Sequence, residues 1–493
     1  MAIGRYGRGI ILLGLAAWLS GGLAGCGTSN IFASLNPTPP VPHAKPPKHE
    51  PEFTPAALRE HQRILATYGG EYNDPRLQKY VKQTVDRLVA ASERPSQHYH
   101  VTLLNSANIN AFALPNGQLY VTRGLLALAD DRAELASVLS HEMAHVIAHH
   151  AEIRANQAKQ AAIVSRVVSD VLTDPEVGAL ALAKSKIALA TFSRAQEFEA
   201  DGIGVGISAR AGFDPYGAER FLLALQRNAE LRAGAGNTDP YAMDFLSTHP
   251  ATPVRIQNVI ANARQYAAPG TGGERDHNAY LAQIDGITYG EDPTGGFVRG
   301  RRYEHPKLGF TFTAPPGFTL DNTAQAVLGV GEGGTQALRL DVVHVPPQQS
   351  LAQYLNSGWI ENIEKDSIET TTINGFEAAT AKAKGEQWSF RLYAIRFGPD
   401  VYRFVYATQR AGADIDAIFR DSVSTFRRMT TAEIENARPL RIKLVTVRAG
   451  DTQERMARHM TGVDRPLDRF RLINGLDAGQ PLRPGERVKI VTE

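Results

Sequence analysis

The sequence of 493 residues predicts a multidomain α+β protein. Residues 56–268 contain apolar positions at helical spacing, with few alternating runs. Glycines cluster in residues 269–299, and residues 300–430 then change to the short alternating runs typical of strands. Residues 439–493 begin and end with short apolar strands around helical segments. We therefore expect a mainly helical α+β domain, a glycine-rich linker, an α+β sandwich and a small βααβ unit.

The first 25 residues have the parts of a secretory signal peptide. Arg5 and Arg8 supply the positive start, residues 10–19 the apolar core, and a Leu-Ala-Gly-Cys box ends at Cys26. An apolar core this short does not span a membrane. Cys26 is the only cysteine, so a disulfide within the chain is impossible and this residue is the predicted lipid attachment site.

The segment after the lipid site predicts a tether at a membrane surface. Residues 26–55 are rich in proline and poor in apolar residues, which predicts a stiff, solvated spacer. Removing residues 1–25 takes two arginines from a chain of net charge +2 and leaves no net charge, so we expect no nucleic-acid partner. Gly27 follows Cys26, where an aspartate would indicate retention in the inner membrane. The prediction is a bacterial periplasmic protein, lipid-anchored in the outer membrane.

His141, Glu142 and His145 form an H-E-x-x-H pattern on a predicted helix. Histidines four residues apart on a helix differ by about 40° in azimuth, so both imidazoles can reach one metal ion. Glu142 is turned by about 100° from His141, which places a base beside the metal rather than on it. Asp131 and Glu134 have the spacing of a capping box that opens this helix.

The third metal ligand does not come from the continuation of this helix. One zinc-protease pattern needs a glycine and a histidine where this chain has Ala148 and Ala151, so that pattern is excluded. His149 lies on the same helix face but about 6 Å farther along the axis. His149 is predicted either to contact a metal ligand rather than the metal itself, or to be a solvated residue that caps the helix.

A second acidic pair supplies the better candidate. Glu197 and Asp201 are four residues apart and share a helix face, whereas Glu199 points roughly opposite. Glu197 is therefore predicted as the third ligand of one Zn²⁺ per chain. Asp201 is predicted to accept a hydrogen bond from a ligating imidazole, which metal-bound histidines need.

These motifs resemble the gluzincin metallopeptidase family that holds the CAAX prenyl proteases, the HtpX-like heat-shock proteases and their periplasmic lipoprotein relatives. Two further segments carry the resemblance, one from Asn110 to Gly124 and one from Ser247 to Ile256. The resemblance covers about residues 56–265 and implies a zincin catalytic domain with endopeptidase activity.

The resemblance also implies roles for single residues. The strand of Asn110, Ala111, Phe112 and Ala113 would receive an extended substrate as an added strand. His249 would act catalytically, as a donor to the developing oxyanion or as a fourth ligand that closes the site. Arg255 would orient the site or the substrate, or form a structural ion pair.

The two C-terminal regions carry weaker resemblances. Residues 300–430, with helices predicted near 351–365 and 413–426, resemble the PsbP-like sandwich in a few short motifs. Residues 439–493 resemble the lysin motif, which binds N-acetylglucosamine-containing glycans, but residues 453–455 are polar where that family has an apolar or aromatic residue. This tail has 11 Lys/Arg against 7 Asp/Glu, which suits an anionic cell wall, although a solvated basic surface would give the same count.

The predicted function is zinc-dependent endopeptidase cleavage of unfolded or misassembled envelope proteins, with peptidoglycan as a possible partner. One alternative is a proteolytically silent chaperone or peptidoglycan-anchored scaffold, in which His249 closes the zinc site. A peptidoglycan hydrolase is a third possibility, but it rests on the lysin-like tail alone.

Overall fold

A computed structural model describes residues 54–156, 193–234, 245–323, 326–360, 362–409 and 413–493. The predicted signal peptide, Cys26 and nearly all of the tether lie outside these residues. Within these ranges, no helix is long and apolar enough to cross a membrane.

The described elements form runs of helices and runs of strands along the chain. The helices are α1 Pro55–Thr67, α2 Pro75–Ala91, α3 Arg123–Leu128, α4 Arg132–Ile147, α5 Arg194–Arg210, α6 Gly217–Gly234, α7 Phe245–Thr248, α8 Pro253–Arg264, α9 His277–Ile284, α10 Leu351–Leu355, α11 Ala413–Ser424, α12 Thr431–Asn436, α13 Gln453–Ala457 and α14 Pro466–Ile473. The strands are β1 His100–Leu104, β2 Ala111–Ala113, β3 Gln118–Thr122, β4 Thr288–Tyr289, β5 Phe297–Arg299, β6 Arg302–His305, β7 Phe310–Thr313, β8 Phe318–Asn322, β9 Val327–Gly331, β10 Gln336–Val343, β11 Ile363–Ile373, β12 Phe376–Lys384, β13 Ser389–Phe397, β14 Asp400–Thr408, β15 Arg427–Arg428, β16 Leu440–Thr446 and β17 Arg487–Thr492.

The first region is built around α4, which is buried along nearly its whole length. A helix that is apolar or small on every side belongs in the centre of a domain. Asp131 caps it, because its side chain accepts a hydrogen bond from the Glu134 N–H at 2.8 Å. The predicted return bond of the capping box instead joins Glu134 to the Asp130 N–H at 2.9 Å. The small sheet beside α4 has the order β1-β3-β2, so β2 is an edge strand.

The middle region is a β-rich α+β unit. Its seven-stranded antiparallel sheet has the order β11-β12-β13-β14-β10-β9-β8, and a four-stranded sheet has the order β15-β7-β6-β5. The helix predicted at 413–426 is confirmed as α11. The helix predicted at 351–365 is wrong beyond Leu355, because the chain turns through Gly358 at φ +85° and then enters β11.

The C-terminal region has the predicted strand-helix-helix-strand order, in β16, α13, α14 and β17. Its sheet gains a third strand, β4, from residues 269–299. That range, predicted as a linker, carries α9, β4 and β5. The apolar core of the C-terminal region is continuous with the core around α4. The last residues of the chain therefore share a core with the first described region.

Gln453 explains why the tail departs from the lysin-motif pattern. This side chain is buried, and its amide donates to the backbone carbonyls of Asp477 and Gln480 at 2.9 and 2.7 Å. Its oxygen accepts from Arg471 at 2.6 Å. A polar residue here fixes the loop between α14 and β17 by hydrogen bonds, where an apolar residue would do so by burial.

Candidate active site

Helix α4 brings the two histidines of the motif together. His141 Nε2 and His145 Nε2 lie 3.1 Å apart, and both side chains are buried. The four-residue spacing predicted this juxtaposition. On the other side of its ring, His141 Nδ1 donates a hydrogen bond to Asp201 Oδ1 at 3.0 Å.

Helix α5 places the acidic pair beside these histidines. Ser193 opens α5 with a capping box, so Glu197 stands in the first turn and Asp201 one turn later. Gly204 lets α5 approach α4 closely, because a Cβ there would lie 3.0 Å from the His141 backbone nitrogen. The carboxylate oxygens of Glu197 lie 3.7 Å from His141 Nε2 and 3.6 Å from His145 Nε2.

His249 completes the cluster from the turn after α7. Its Nδ1 lies 3.3 Å from His141 Nε2 and 2.9 Å from Glu197 Oε1. The ligand atoms of His141, His145, Glu197 and His249 all lie within 4.8 Å of one another, and each residue is at most 5% exposed. Tetrahedral zinc, with bonds of about 2.0–2.1 Å, keeps its ligand atoms about 3.4 Å apart. The cluster therefore has the size of a four-coordinate metal site.

The protonation of the cluster fits a cation at its centre. Burial lowers the pKa of His141 and His145, and it lowers that of His249 to about 3, so all three imidazoles are neutral near pH 7. Because His141 donates from Nδ1 to Asp201, its Nε2 turns a lone pair toward the other ligand atoms. Several lone pairs aimed at one point are the donor set of a metal ion.

Asp201 and Arg255 hold His141 in this orientation. Arg255 Nε and a terminal nitrogen donate to the two oxygens of Asp201 at 2.8 and 2.7 Å, and Arg255 also lies 2.6 Å from Glu197 Oε2. Burial alone would raise the pKa of Asp201, but hydrogen bonds from Arg255 and His141 lower it. Asp201 thus lies against His141, and Arg255 forms ion pairs with Asp201 and Glu197.

His150 was missed by the sequence reasoning. Its Nδ1 lies 2.9 Å from His145 Nδ1, and its Nε2 lies 3.2 Å from Glu199 Oε2. His149 ends the helix in the left-handed conformation at φ 56°, which turns the chain and brings His150 back under His145. His149 itself is half-exposed and bonded to Arg94, so it is the solvated cap of the two alternatives. Consecutive histidines just after the motif were the available signal.

Glu142 occupies the position expected of a base. Its Oε1 is buried and lies 3.6 Å from His249 Nε2, without a hydrogen-bond partner in the described part of the chain. Burial and the neighbouring Glu197 carboxylate raise the pKa of Glu142 well above its usual value, although the Ala113 N–H donates to it. Glu142 therefore lies between strand β2 and the cluster of three histidines and Glu197.

Among the described residues, strand β2 pairs with β3 on one side only, and its other side lies toward Glu142. Leu114 and Thr122 make ladder bonds with Gln118 and Asn110, so in alternation Phe112 also faces β3. Ala111 and Ala113 consequently point their backbone groups away from the sheet, and the Ala113 N–H reaches Glu142. Asn110 contributes differently, because its side chain donates to the Tyr68 hydroxyl at 3.1 Å.

Comparisons with known proteins agree with this arrangement. The Beta-barrel assembly-enhancing protease of Yersinia pestis is 31% identical over 228 residues, which are 44% of this chain and 45% of that protein. The Mitochondrial metalloendopeptidase OMA1 of Schizosaccharomyces pombe is 32% identical over 181 residues, 36% of this chain and 51% of that protein. The chain spans about half the length of the curated relatives it matches.

One solved structure is similar to a part of this chain. The solution structure of cyanobacterial PsbP from Synechocystis covers 28% of this chain and 98% of that protein, at 15% identity and a TM-score of 0.22. That score is too low to support the PsbP-like prediction. For the first region the match is firm, because residues 75–263 fit the family described as Peptidase family M48. The helical first region is therefore similar to the Peptidase family M48 domain.

Proposed function

We propose that this chain is a zinc-dependent endopeptidase of the bacterial envelope. One observation carries the proposal: the buried cluster of His141, His145, Glu197 and His249 lies next to Glu142 and the free edge of β2. A metal site, a base and a surface that accepts an extended peptide are the parts that peptide hydrolysis needs.

Zinc is the metal that we propose for the cluster. Imidazole nitrogens with a carboxylate oxygen, in a set of four, are typical zinc ligands. His141, His145 and Glu197 would hold it, with Asp201, Arg255 and His150 orienting them. When bound, zinc polarises a scissile carbonyl and lowers the pKa of water.

Glu142 would move the proton in this reaction. Its carboxylate accepts a proton from the attacking water and passes it to the leaving amine, and the Ala113 N–H keeps it oriented. An extended substrate on β2 would bring its backbone alongside this carboxylate.

His249 would decide whether the site is open. Its Nδ1 lies among the ligand atoms, so His249 would be a fourth protein ligand and would leave a bound metal no open position. Cleavage then requires His249 to leave, after which its imidazole could donate to the oxyanion. The closed arrangement is the observation that favours the alternative, a silent chaperone or scaffold.

The proposed substrates are unfolded or misassembled envelope proteins. A free strand edge recognises backbone rather than side chains, so it selects extended chains over folded ones. The name of the Yersinia pestis relative points to outer-membrane β-barrel proteins. We further propose a lipid anchor at Cys26 in the outer membrane, facing the periplasm, a PsbP-like fold for residues 300–430, and peptidoglycan as a partner of the lysin-motif-like residues 439–493.

Cleavage of an unfolded β-barrel protein by the zinc-loaded form starting after Cys26 tests the proposal. Wild type, Glu142→Gln and His249→Ala are compared, with the exposed Glu152→Gln as the control. We expect cleavage by wild type or His249→Ala that Glu142→Gln loses by about 10²–10⁴-fold. Higher activity of His249→Ala would make His249 a gate, and lower activity a donor. Inert proteins that all bind zinc would favour the scaffold.

A further inference from the structure

Lys489 of β17 is fully buried, and it reaches out of the C-terminal sheet into the first region. Its Nζ donates to the backbone carbonyls of Ala127, Leu128 and Ala129 at 3.3, 3.3 and 2.7 Å. These carbonyls end helix α3, where they have no partner within the helix. The lysine is therefore the C-terminal cap of α3, supplied from 360 residues away in the chain.

The other end of α3 is held by the same sheet. Arg123, its first residue, is also buried, and it donates to the Thr288 carbonyl of β4 at 3.1 Å. Strand β4 pairs with β16 in the C-terminal sheet. Helix α3 is thus fixed at its start through Arg123 and at its end through Lys489.

The active-site helix begins directly after this clamp. Three carboxylates, those of Asp130, Asp131 and Glu134, crowd the start of α4. Lys489 Nζ lies 3.6 Å from Asp130 Oδ1, and Arg220 and Arg275 pair with Asp131 at 3.0 and 2.7 Å. Burial would raise the pKa of Asp130, but Lys489 and His277 hold it at about 2. The ammonium thus neutralises a buried charge at the first turn of α4.

We propose that the C-terminal region is a working part of the peptidase, and that Lys489 is a positioning residue that fixes where α4 begins. His141 lies nine residues after Arg132, the first residue of α4, which is about 14 Å along the helix. Strand β2 pairs with β3, and β3 leads directly into α3. The position of α4 relative to β2 sets the distance from Glu142 to a docked peptide. This role is separate from wall binding, although its effect on cleavage rests on the proposed function.

Lys489→Met in the full mature chain tests the role, with Lys443→Met as the matched control. Lys443 lies on the neighbouring strand β16 and is exposed, so it receives the same substitution without the clamp. Using a soluble unfolded protein as substrate, where wall anchoring is irrelevant, we expect kcat to fall about tenfold while KM changes less than about twofold.

Two measurements do not depend on cleavage. Hydrogen exchange at the amides of Glu134 and Leu135, which bond back to Asp131 in the first turn of α4, should quicken about tenfold in Lys489→Met. The visible spectrum of the Co²⁺-substituted chain should change, because the ligands on α4 move. If neither wild type nor His249→Ala cleaves anything, the proposed function fails, yet these two measurements still decide whether Lys489 positions α4.

A conservative variant covers the case in which Lys489→Met does not fold. Lys489→Gln keeps N–H donors for the carbonyls but removes the charge, so it should give a smaller fall in kcat, of about threefold. The proposal is overturned if Lys489→Met, or Lys489→Gln in its place, matches Lys443→Met in exchange and spectrum. A raised KM with unchanged kcat would also overturn it, because the region would then act in substrate binding.

Discussion

The two ends of helix α4 hold buried charged clusters of opposite character. At the start, Asp130, Asp131 and Glu134 meet cationic side chains from distant parts of the chain, such as Arg220 and Lys489. Near the end, Glu142 and Glu197 meet neutral imidazoles whose nitrogens lie 3.1–3.3 Å apart. The first cluster has its counter-charges built in.

The difference shows what each cluster is for. Buried carboxylates without counter-charges are costly, so a structural network supplies its cations from its own side chains. In the second cluster Arg255 pairs with Glu197 and Asp201, but the imidazole lone pairs stay aimed at one point, which is costly unless a metal ion binds there. The same helix therefore has a structural end and a functional end.

Arg255→Met should have the largest effect, because Arg255 neutralises both Asp201 and Glu197. Removing one partner of a buried ion pair costs about 3–5 kcal/mol, and zinc should restore part of this by taking over Glu197. Urea unfolding of the variant without metal measures the loss of stability, and unfolding of the zinc-loaded variant measures how much of it zinc restores. Arg264→Met, exposed on the same helix, is the control, and an equal loss in the two variants would contradict the account.

Asp201→Asn should weaken zinc binding without removing a ligand. Loss of the carboxylate that orients a ligating histidine typically lowers metal affinity about 10–100-fold. Competition with a chelator of known affinity measures the change. Asp86→Asn, a substitution at an exposed carboxylate paired with Lys82, should leave the affinity as it is. An unchanged affinity in Asp201→Asn would mean that His141 needs no acceptor.

His150→Asn should act in the same direction but more weakly, by about tenfold, because asparagine cannot reach His145. The onward partner Glu199 is 54% exposed, so water can replace part of this network. His149→Asn is the matched control. His149 adopts the left-handed conformation, which asparagine tolerates. The same chelator competition measures the zinc affinity of both variants. Equal affinities would show that His150 does not support the metal site.

Glu134→Gln should change the pH dependence of stability at the structural end. Burial, with Asp131 and Asp130 nearby, raises the pKa of Glu134 to about 8. A raised carboxyl pKa contributes stability below its unfolded value, and this is lost as pH rises through about 8, at up to about 1.4 kcal/mol per pH unit. Urea midpoints between pH 5 and 8 should therefore fall less steeply in the variant. Parallel curves for both proteins would refute the assignment.

The sequence predicted the functional end of α4 better than the structural end. The spacings of His141–His145 and Glu197–Asp201 are local, so helical geometry alone predicts which side chains meet. The consecutive histidines pointed to His150, but helical spacing could not place it beside His145, because its place depends on the left-handed turn at His149. Local rules describe a regular helix but not the way that it ends.

The clamp on α3 depends on contacts that no local pattern encodes. Lys489 alternates with apolar neighbours in β17 and looks like a solvent-facing strand residue, yet it is buried against α3. The range 269–299 looks like a linker because of its glycines, but its short strand β4 completes the C-terminal sheet. In the middle region, helical spacing after Leu351 was overridden by the pairing of β11 with β12.

Calorimetric titration of zinc into the metal-free chain tests most directly whether the cluster near the end of α4 is a metal site and the cluster at its start is structural. The account predicts one tightly bound zinc ion per chain in wild type and in Glu142→Gln, and none in the double variant His141→Ala/His145→Ala. Failure of wild type to bind zinc, or equal binding by the double variant, would show that the cluster at the end of α4 is structural after all.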